Sequence, residues 1–360
     1  MADRERILVT GGMGFIGSRL LEYLGTEHEI LSFDCLHPQV HGLISPPSHP
    51  RNVRGSVTDS HELAQVVRYF DPTVIYHLAA ETGTGQSYDE PARYCDVNIQ
   101  GTANLIEAAR AGAKRLRRVV VAGSRSVYGE GAYRDGEHVV CGLPRETAAM
   151  AAGKFDVVSE DGRPLEPVPT PEWLPARPAS VYATSKLAQE YLLTQCFEGT
   201  DVDVVCLRFQ NVYGAGQSLT NPYTGVISIM SQIALDGKKL NVFEDGQIAR
   251  DFVHVSDVVR AMVVVGDTGL SIGAEPINIG TGRTVTITEM AVTLLTLLGK
   301  DPDNYYISGD FRAGDVRHAV ADISAAAERL GWTAEVSFED GMKEITDWVM
   351  EERRKAGAVA

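Results

Sequence analysis

The sequence of 360 residues has no apolar run approaching the ~18 residues expected of a membrane-crossing helix. It also has no run of Lys or Arg longer than a few positions. The first absence argues against a membrane bundle. The second, together with 48 acidic against 33 basic residues and a net charge of −15, opposes binding to nucleic acid. A small anionic ligand is still compatible with that charge, because a few arginines and helix N-termini act locally. The cysteines, Cys35, Cys95, Cys141, Cys196 and Cys206, are odd in number and form no close pair. Neither a disulfide framework nor a zinc site is therefore expected; no metal is predicted, and the thiols are read as reduced. Internal repeats and low-complexity tracts are lacking. Residues 1–5 are polar and run straight into a strand pattern without a signal-peptide profile, which predicts a cytoplasmic protein. What remains is globular in composition, with 44% hydrophobic and 22% charged residues, and long enough for two or three lobes.

Short apolar runs at 6–10, 29–33, 73–78, 118–122 and 202–208, with a weaker one at 51–54, alternate with helical patterns at 17–24, 59–69, 97–113 and 180–197. Strand and helix in alternation predict an α/β fold, a doubly wound parallel sheet of the Rossmann type. Residues 130–178, rich in Gly, Pro and polar side chains, are expected to be a long surface insertion that folds as an appendage. Beyond about residue 214 the pattern becomes irregular. Short strands near 240–243 and 276–279 and helices near 288–298 and 337–354 suggest a smaller α/β C-terminal substrate domain, with a ligand cleft between the lobes. The predicted division is a dinucleotide-binding domain over 1–210 with a returning segment at about 251–282, and a substrate domain over 211–250 and 283–360.

After the first strand the chain reads Gly11-Gly12-Met13-Gly14-Phe15-Ile16-Gly17. Glycines at this spacing, between a strand and a helix, permit a tight turn and close backbone approach to a pyrophosphate, and the helix N-terminus supplies free N–H groups. Asp34 ends the second strand, where a carboxylate accepts hydrogen bonds from a ribose 2′-hydroxyl and repels a 2′-phosphate, so the expected cofactor is NAD rather than NADP. Tyr182 and Lys186, at i and i+4, share a helix face, where the ammonium and an oxidised nicotinamide would lower the phenol's pKa toward that of a general base. An earlier strand runs into Ser124-Arg125-Ser126-Val127-Tyr128-Gly129, placing a serine to bridge Tyr182 and a substrate oxygen.

These motifs, with His77-Leu78-Ala79-Ala80, Asn98, Gly101-Thr102, Leu207-Arg208-Phe209, Asn211, Arg250-Asp251-Phe252-Val253-His254-Val255 and Arg312-Ala313-Gly314-Asp315, resemble in order the extended short-chain dehydrogenase/reductase family of nucleotide-sugar-modifying enzymes. Within it the chain is most similar to the NAD-dependent 4-epimerases. The stretches at 213–217 and 221–225 resemble the dTDP-L-rhamnose 4-epimerase branch. The resemblance implies catalytic roles for Ser124, Tyr182 and Lys186. It implies cofactor contacts from Gly11, Gly14, Phe15, Ile16, Gly17, Asp34, Leu78, Ala79, Ala80, Asn98, Tyr182 and Lys186. For the substrate it implies Ser124 and Ser126, Thr84 and Gln86 in a loop over the sugar, Asn211 on the diphosphate, Arg250 and Arg312 on the phosphates, and Asp315 on the nucleoside or orienting an arginine. Ion pairing with Asp315 or Asp251 is the competing role for these arginines, expected of Arg317 and not of Arg250.

One departure stands out: the family usually has an Asp near the adenine after the third strand, and this chain reads Gly55-Ser56-Val57. The function so implied is NAD-dependent epimerisation at C4 of a nucleotide-diphospho-hexose through a 4-keto intermediate, by a homodimer joined along helices at 97–113 and 180–197. The absence of a carboxylate in Ser124-Arg125-Ser126 weighs against a dehydratase. A 4-ketoreductase or dehydrogenase needs the same Ser, Tyr and Lys and is the alternative. A non-catalytic NAD-binding sensor is the alternative from another class.

Overall fold

Apart from the short edge strand at 52–54, the strands of the first half are apolar runs because both their faces are covered. In the computed structural model, which describes residues 4–41, 51–219, 221, 225–312 and 314–358, the central sheet has seven strands. They are β1 (Arg6–Thr10), β2 (Glu29–Asp34), β3 (Asn52–Arg54), β4 (Val74–His77), β5 (Arg118–Ser124), β6 (Asp203–Phe209) and β7 (Ile277–Ile279), all parallel, in the order β7-β6-β5-β4-β1-β2-β3. Side chains alternate between faces as a strand demands. Ile7, Val9, Tyr76, Val120 and Leu207 enter one buried cluster, and Leu8, Ile75, Val119, Val121 and Cys206 enter the other. Helices α1 (Phe15–Leu24) and α5 (Val255–Gly266) seal the first face; α2 (Ser60–Phe70), α3 (Gly101–Gly112) and α4 (Val181–Phe197) seal the second. Since β1 lies between β2 and β4, the chain leaves the sheet in opposite directions at this point, opening a crevice at the strands' C-terminal ends.

Two elements differ from the sequence expectation. The pattern at 97–113 is not one regular helix: a π-helical segment, Cys95–Gln100, precedes α3. Its wider turn accompanies a buried Asn98 that bonds inward to Glu81 and Ser185. The insertion at 130–178 is not a detached appendage. It forms a small antiparallel sheet from Ala132–Asp135, His138–Cys141 and Glu166–Pro167, and Arg145 ties it down. The Arg145 guanidinium meets Glu130 at 2.9 Å and Glu244 at 2.8 Å, with all three side chains at most 5% exposed.

The remaining chain forms a third core from the helices Val226–Leu235, Ile287–Leu297 and Phe338–Ala358 around Leu240, Val242, Met290, Leu294 and Met342. Asn211–Tyr213 pairs in parallel with Phe252–His254 and carries the chain across from the central sheet. Among the described residues no helix is long and apolar enough to cross a membrane.

Candidate active site

The turn after β1 is built for close backbone approach. Gly11 has φ +70°, and a Cβ there would lie 2.7 Å from the Ala79 amide nitrogen; a Cβ at Gly17 would lie 2.5 Å from the Gly11 carbonyl. Any side chain at either position pushes α1 or the segment after β4 out of place. Asp34 fixes the loop from the neighbouring strand: its Oδ2 accepts from the Met13 amide at 2.9 Å and its Oδ1 from the Leu36 amide at 2.8 Å. Each carboxylate oxygen keeps a second lone pair for a ribose hydroxyl. The glycine cradle, the open start of α1 and this carboxylate fit a dinucleotide. At the adenine end, Ser56 turns its hydroxyl to Thr58 at 2.8 Å and Val57 is buried.

Beside the loop runs a cleft of about 500 Å³. It brings together Gly11, Gly14, Phe15, Ile16 and Gly17, then Leu78, Ala80 and Thr84, and the polar groups Ser124, Ser126, Tyr182, Lys186 and Asn211. Ser124 ends β5, and its Oγ accepts from the Ser126 amide at 3.2 Å and the Ser126 hydroxyl at 2.8 Å. Both lone pairs are thereby used, leaving the Ser124 proton to donate to Tyr182, a bond that holds the phenol's pKa down. Tyr182 sits in the first turn of α4, capped by Ser180, whose Oγ accepts from the Ala183 amide at 3.1 Å. Burial pushes the phenol's pKa up, opposed by the Ser124 bond and the Arg125 charge.

Lys186 is buried and pushed down to about 8 by desolvation. Its ammonium donates to Gln189 Oε1 at 2.6 Å. Gln189 in turn donates to Thr102 Oγ1 at 2.9 Å, and Thr102 donates to the Asn98 carbonyl at 2.5 Å. His77, held neutral by burial at about 3, lies between Thr10 at 2.8 Å and Thr102 at 2.9 Å.

Several residues expected at the site stand behind it. Asn98 uses its amide within the protein, bridging the Glu81 backbone and Ser185, and so positions the segment after β4. Ala79 packs on Gly11. Gln86 is absent from the cleft wall and bonds Gln39 and Glu90, because its short helix points it away from Thr84. Arg250, expected free for phosphate, donates to Asp315 at 2.6 Å; the carboxylate therefore orients an arginine, and the pairing set aside for Arg250 is present. Arg317 pairs with Glu244 and Asp245, as expected of it. Arg312 is exposed, its Cζ 5.0 Å over the Phe243 ring. Residues 222–224 and 313, part of the quoted motifs, lie outside the described residues.

Of the cleft's further polar groups, Asn211 is expected from the motifs, while the motifs give no role to Gln210, Gln217 and Arg125. The Oε1 of Gln210, the Oδ1 of Asn211 and the Oε1 of Gln217 are buried in the cleft wall without hydrogen-bond partners among the described residues, an arrangement that a ligand's donors complete. Arg125 also lines it. The visible signal for Arg125 was its place directly after the β5 serine.

A doubly wound parallel sheet with a glycine cradle at its crevice, and a serine, a tyrosine and a lysine converging beside it, defines a dinucleotide-dependent enzyme. The comparisons make this specific. Residues 7–154 match the model of the NAD dependent epimerase/dehydratase family and residues 162–345 that of GDP-mannose 4,6 dehydratase. A dTDP-L-rhamnose 4-epimerase of Burkholderia thailandensis is 37% identical over 98% of this chain and 97% of its own. A UDP-glucose 4-epimerase of Mycolicibacterium smegmatis is 32% identical over 95% and 98%. Among solved structures, the UDP-glucose 4-epimerase of Thermotoga maritima with UDP-glucose has a TM-score of 0.78 at 27% identity, covering 96% of this chain and 99% of the other. MoeE5 in complex with UDP-glucose and NAD has a TM-score of 0.76 at 29% identity, with the same coverage. The chain belongs to the NAD-dependent epimerase/dehydratase family, within the extended short-chain dehydrogenases/reductases, and its cofactor is NAD.

Proposed function

We propose that this protein inverts C4 of a nucleotide-diphospho-hexose, dTDP-L-rhamnose or a related deoxysugar nucleotide, through a transient 4-keto sugar. The observation that carries the reading is the Ser124, Tyr182 and Lys186 set in one cleft with the glycine cradle, together with the full-length likeness to a 4-epimerase. NAD, when bound, supplies the acceptor and donor of the C4 hydride. The loop from Gly11 to Gly17 and Asp34 hold it, with Leu78 and Ala80 beside it and Lys186 on its ribose. Tyr182 removes the proton of the C4 hydroxyl and later returns one to the ketone oxygen; with sugar bound, the Ser124 hydroxyl proton turns from the phenol to that oxygen. Asn211 takes the diphosphate, and Arg250, oriented by Asp315, and Arg312 complete the substrate contacts. Ser126 keeps Ser124 pointed at the phenol, and Thr84 faces the sugar. A sugar anchored only by its diphosphate turns over in the cleft and is reprotonated after hydride return to the other face.

We further assign the dinucleotide domain to 1–210 with 251–282, supported by α5 and β7 lying on the central sheet, and the substrate domain to 211–250 and 283–360. The enzyme works in the cytoplasm as a homodimer joined along α3 and α4, a reading supported by Tyr191 standing 52% exposed on α4.

The test is incubation of the protein with dTDP-L-rhamnose and a panel of UDP- and GDP-hexoses in the presence of catalytic NAD, with products read by NMR. A C4 epimer without reduced nicotinamide accumulating is the expected result. Stoichiometric reduced nicotinamide would move the assignment to a dehydrogenase.

A further inference from the structure

Arginines withdrawn from water need acceptors, and in this protein most such arginines have them. Arg118 donates to the carbonyls of Val265 and Leu270 at 2.8 and 2.6 Å and to Asp203 at 2.8 Å. Arg208 meets Glu190 at 2.9 Å and the Tyr128 hydroxyl at 2.9 Å. Arg145 and Arg250 are paired as described. Arg125 differs. It is half-buried, lines the cleft beside Ser124 and Tyr182, and makes no hydrogen bond or ion pair among the described residues.

The groups whose charges reach Arg125 explain why it stays unpaired. They are Arg250, Asp315, Tyr182 and Glu130. Asp315 is committed to Arg250 at 2.6 Å, and Glu130 to Arg145 at 2.9 Å. Burial, joined by the like charge of Arg250, pulls the Arg125 guanidinium down to about 10. Arg125 thus lines the cleft with its guanidinium donors uncommitted to any described residue, available to the acceptors of a ligand.

We propose that Arg125 is a catalytic residue of the C4 chemistry, its guanidinium contacting hydroxyl oxygens of the hexose next to the hydroxyl handled by Ser124 and Tyr182. The inference rests on the nucleotide-sugar reading above. A guanidinium held only by its own stem follows either face of a hexose that turns over, which a donor locked to a protein carboxylate does not. Its fixed charge also favours the Tyr182 phenolate. The other groups around that phenol are the Tyr94 ring, edge-on at 6.3 Å, the Ser124 hydroxyl, and Lys186 one turn along α4.

The experiment compares Arg125→Gln, which keeps donors and loses the charge, with Arg125→Lys, which keeps the charge and loses the fork. In NAD-loaded protein without sugar, labelled with ¹³Cζ-tyrosine, the Tyr182 resonance is identified by its loss in Tyr182→Phe and followed with pH. Arg125→Gln is expected to titrate higher than wild type by about one pH unit, and Arg125→Lys close to wild type. With dTDP-L-rhamnose, kcat/KM is expected to fall about 100-fold in Arg125→Gln, while affinity for dTDP alone, by calorimetry, stays within about threefold. An unmoved Tyr182 titration in Arg125→Gln overturns the proposal. So does a loss of dTDP affinity that matches the loss in kcat/KM, because it would put Arg125 on the diphosphate. Wild-type protein that turns over no nucleotide sugar would sink the functional reading, and the sugar-free titration would still judge Arg125.

Discussion

A phenol is a poor base near neutral pH, and burial makes Tyr182 poorer. The polar groups around it therefore decide whether it works. Replacing Tyr182 with Phe removes one hydroxyl and no packing, so the variant should fold, bind NAD with unchanged affinity by calorimetry, and lose roughly 100- to 10,000-fold in kcat. Undiminished turnover would remove Tyr182 from the chemistry. Lys186 offers a test by pH. Its folded pKa lies near 8 against an ordinary 10.5, so the unfolded chain binds more protons between those values and the lysine's cost to stability is full below 8 and disappears above 10.5. In NAD-free protein, denaturant unfolding of Lys186→Met relative to wild type should shift by about 3 kcal/mol, in wild type's favour, as pH rises through that window. A difference independent of pH would show that the ammonium is not buried as described.

At the level of elements, the crevice is set by two close approaches of backbone, Gly11 on Ala79 and Gly17 on Gly11. Gly17→Ala places a methyl 2.5 Å from the Gly11 carbonyl, so α1 has to move outward. The variant should lose about 1–3 kcal/mol of stability and at least ~10-fold in NAD affinity, read by thermal unfolding and calorimetry; near-wild-type binding would mean that the cradle does not carry the cofactor. These glycines were legible in the sequence because strand, turn and helix each leave a local pattern. So were the strands at 6–10, 118–122 and 202–208, whose apolar runs record burial on both faces. What escaped was set by partners distant in sequence. The pairing of Arg250 with Asp315 joins residues 65 apart, Gln189 meets Thr102 across 87, and Gln86 is turned from the cleft by Gln39 and Glu90. The π-helical segment before α3 left no mark either, since Val97 to Ala113 keeps an apolar rhythm through it.

At the scale of the whole molecule, the insertion at 130–178 connects to the site through buried charge. Arg145 meets Glu130 and Glu244 and donates to the Asp315 carbonyl at 2.7 Å, while the Asp315 carboxylate orients Arg250. Composition could not reveal this, because a Gly- and Pro-rich stretch looks the same whether it hangs free or is stapled by one arginine. Arg145→Met leaves the buried Glu130 carboxylate without an ion pair and Glu244 with Arg317 alone, and should cost about 3–5 kcal/mol in chemical denaturation, with KM for the nucleotide sugar rising as Arg250 loses its support. A neutral substitution would mean that the insertion is held by other contacts. In the proposed reaction, hydride leaves and returns to the same sugar carbon within one cleft. This route is tested most directly by turning over dTDP-L-rhamnose carrying deuterium at C4 and examining the product by NMR and mass spectrometry. An inverted C4 that keeps its deuterium, with none lost to water, is the expected product; an epimer with C4 hydrogen drawn from solvent would rule this route out.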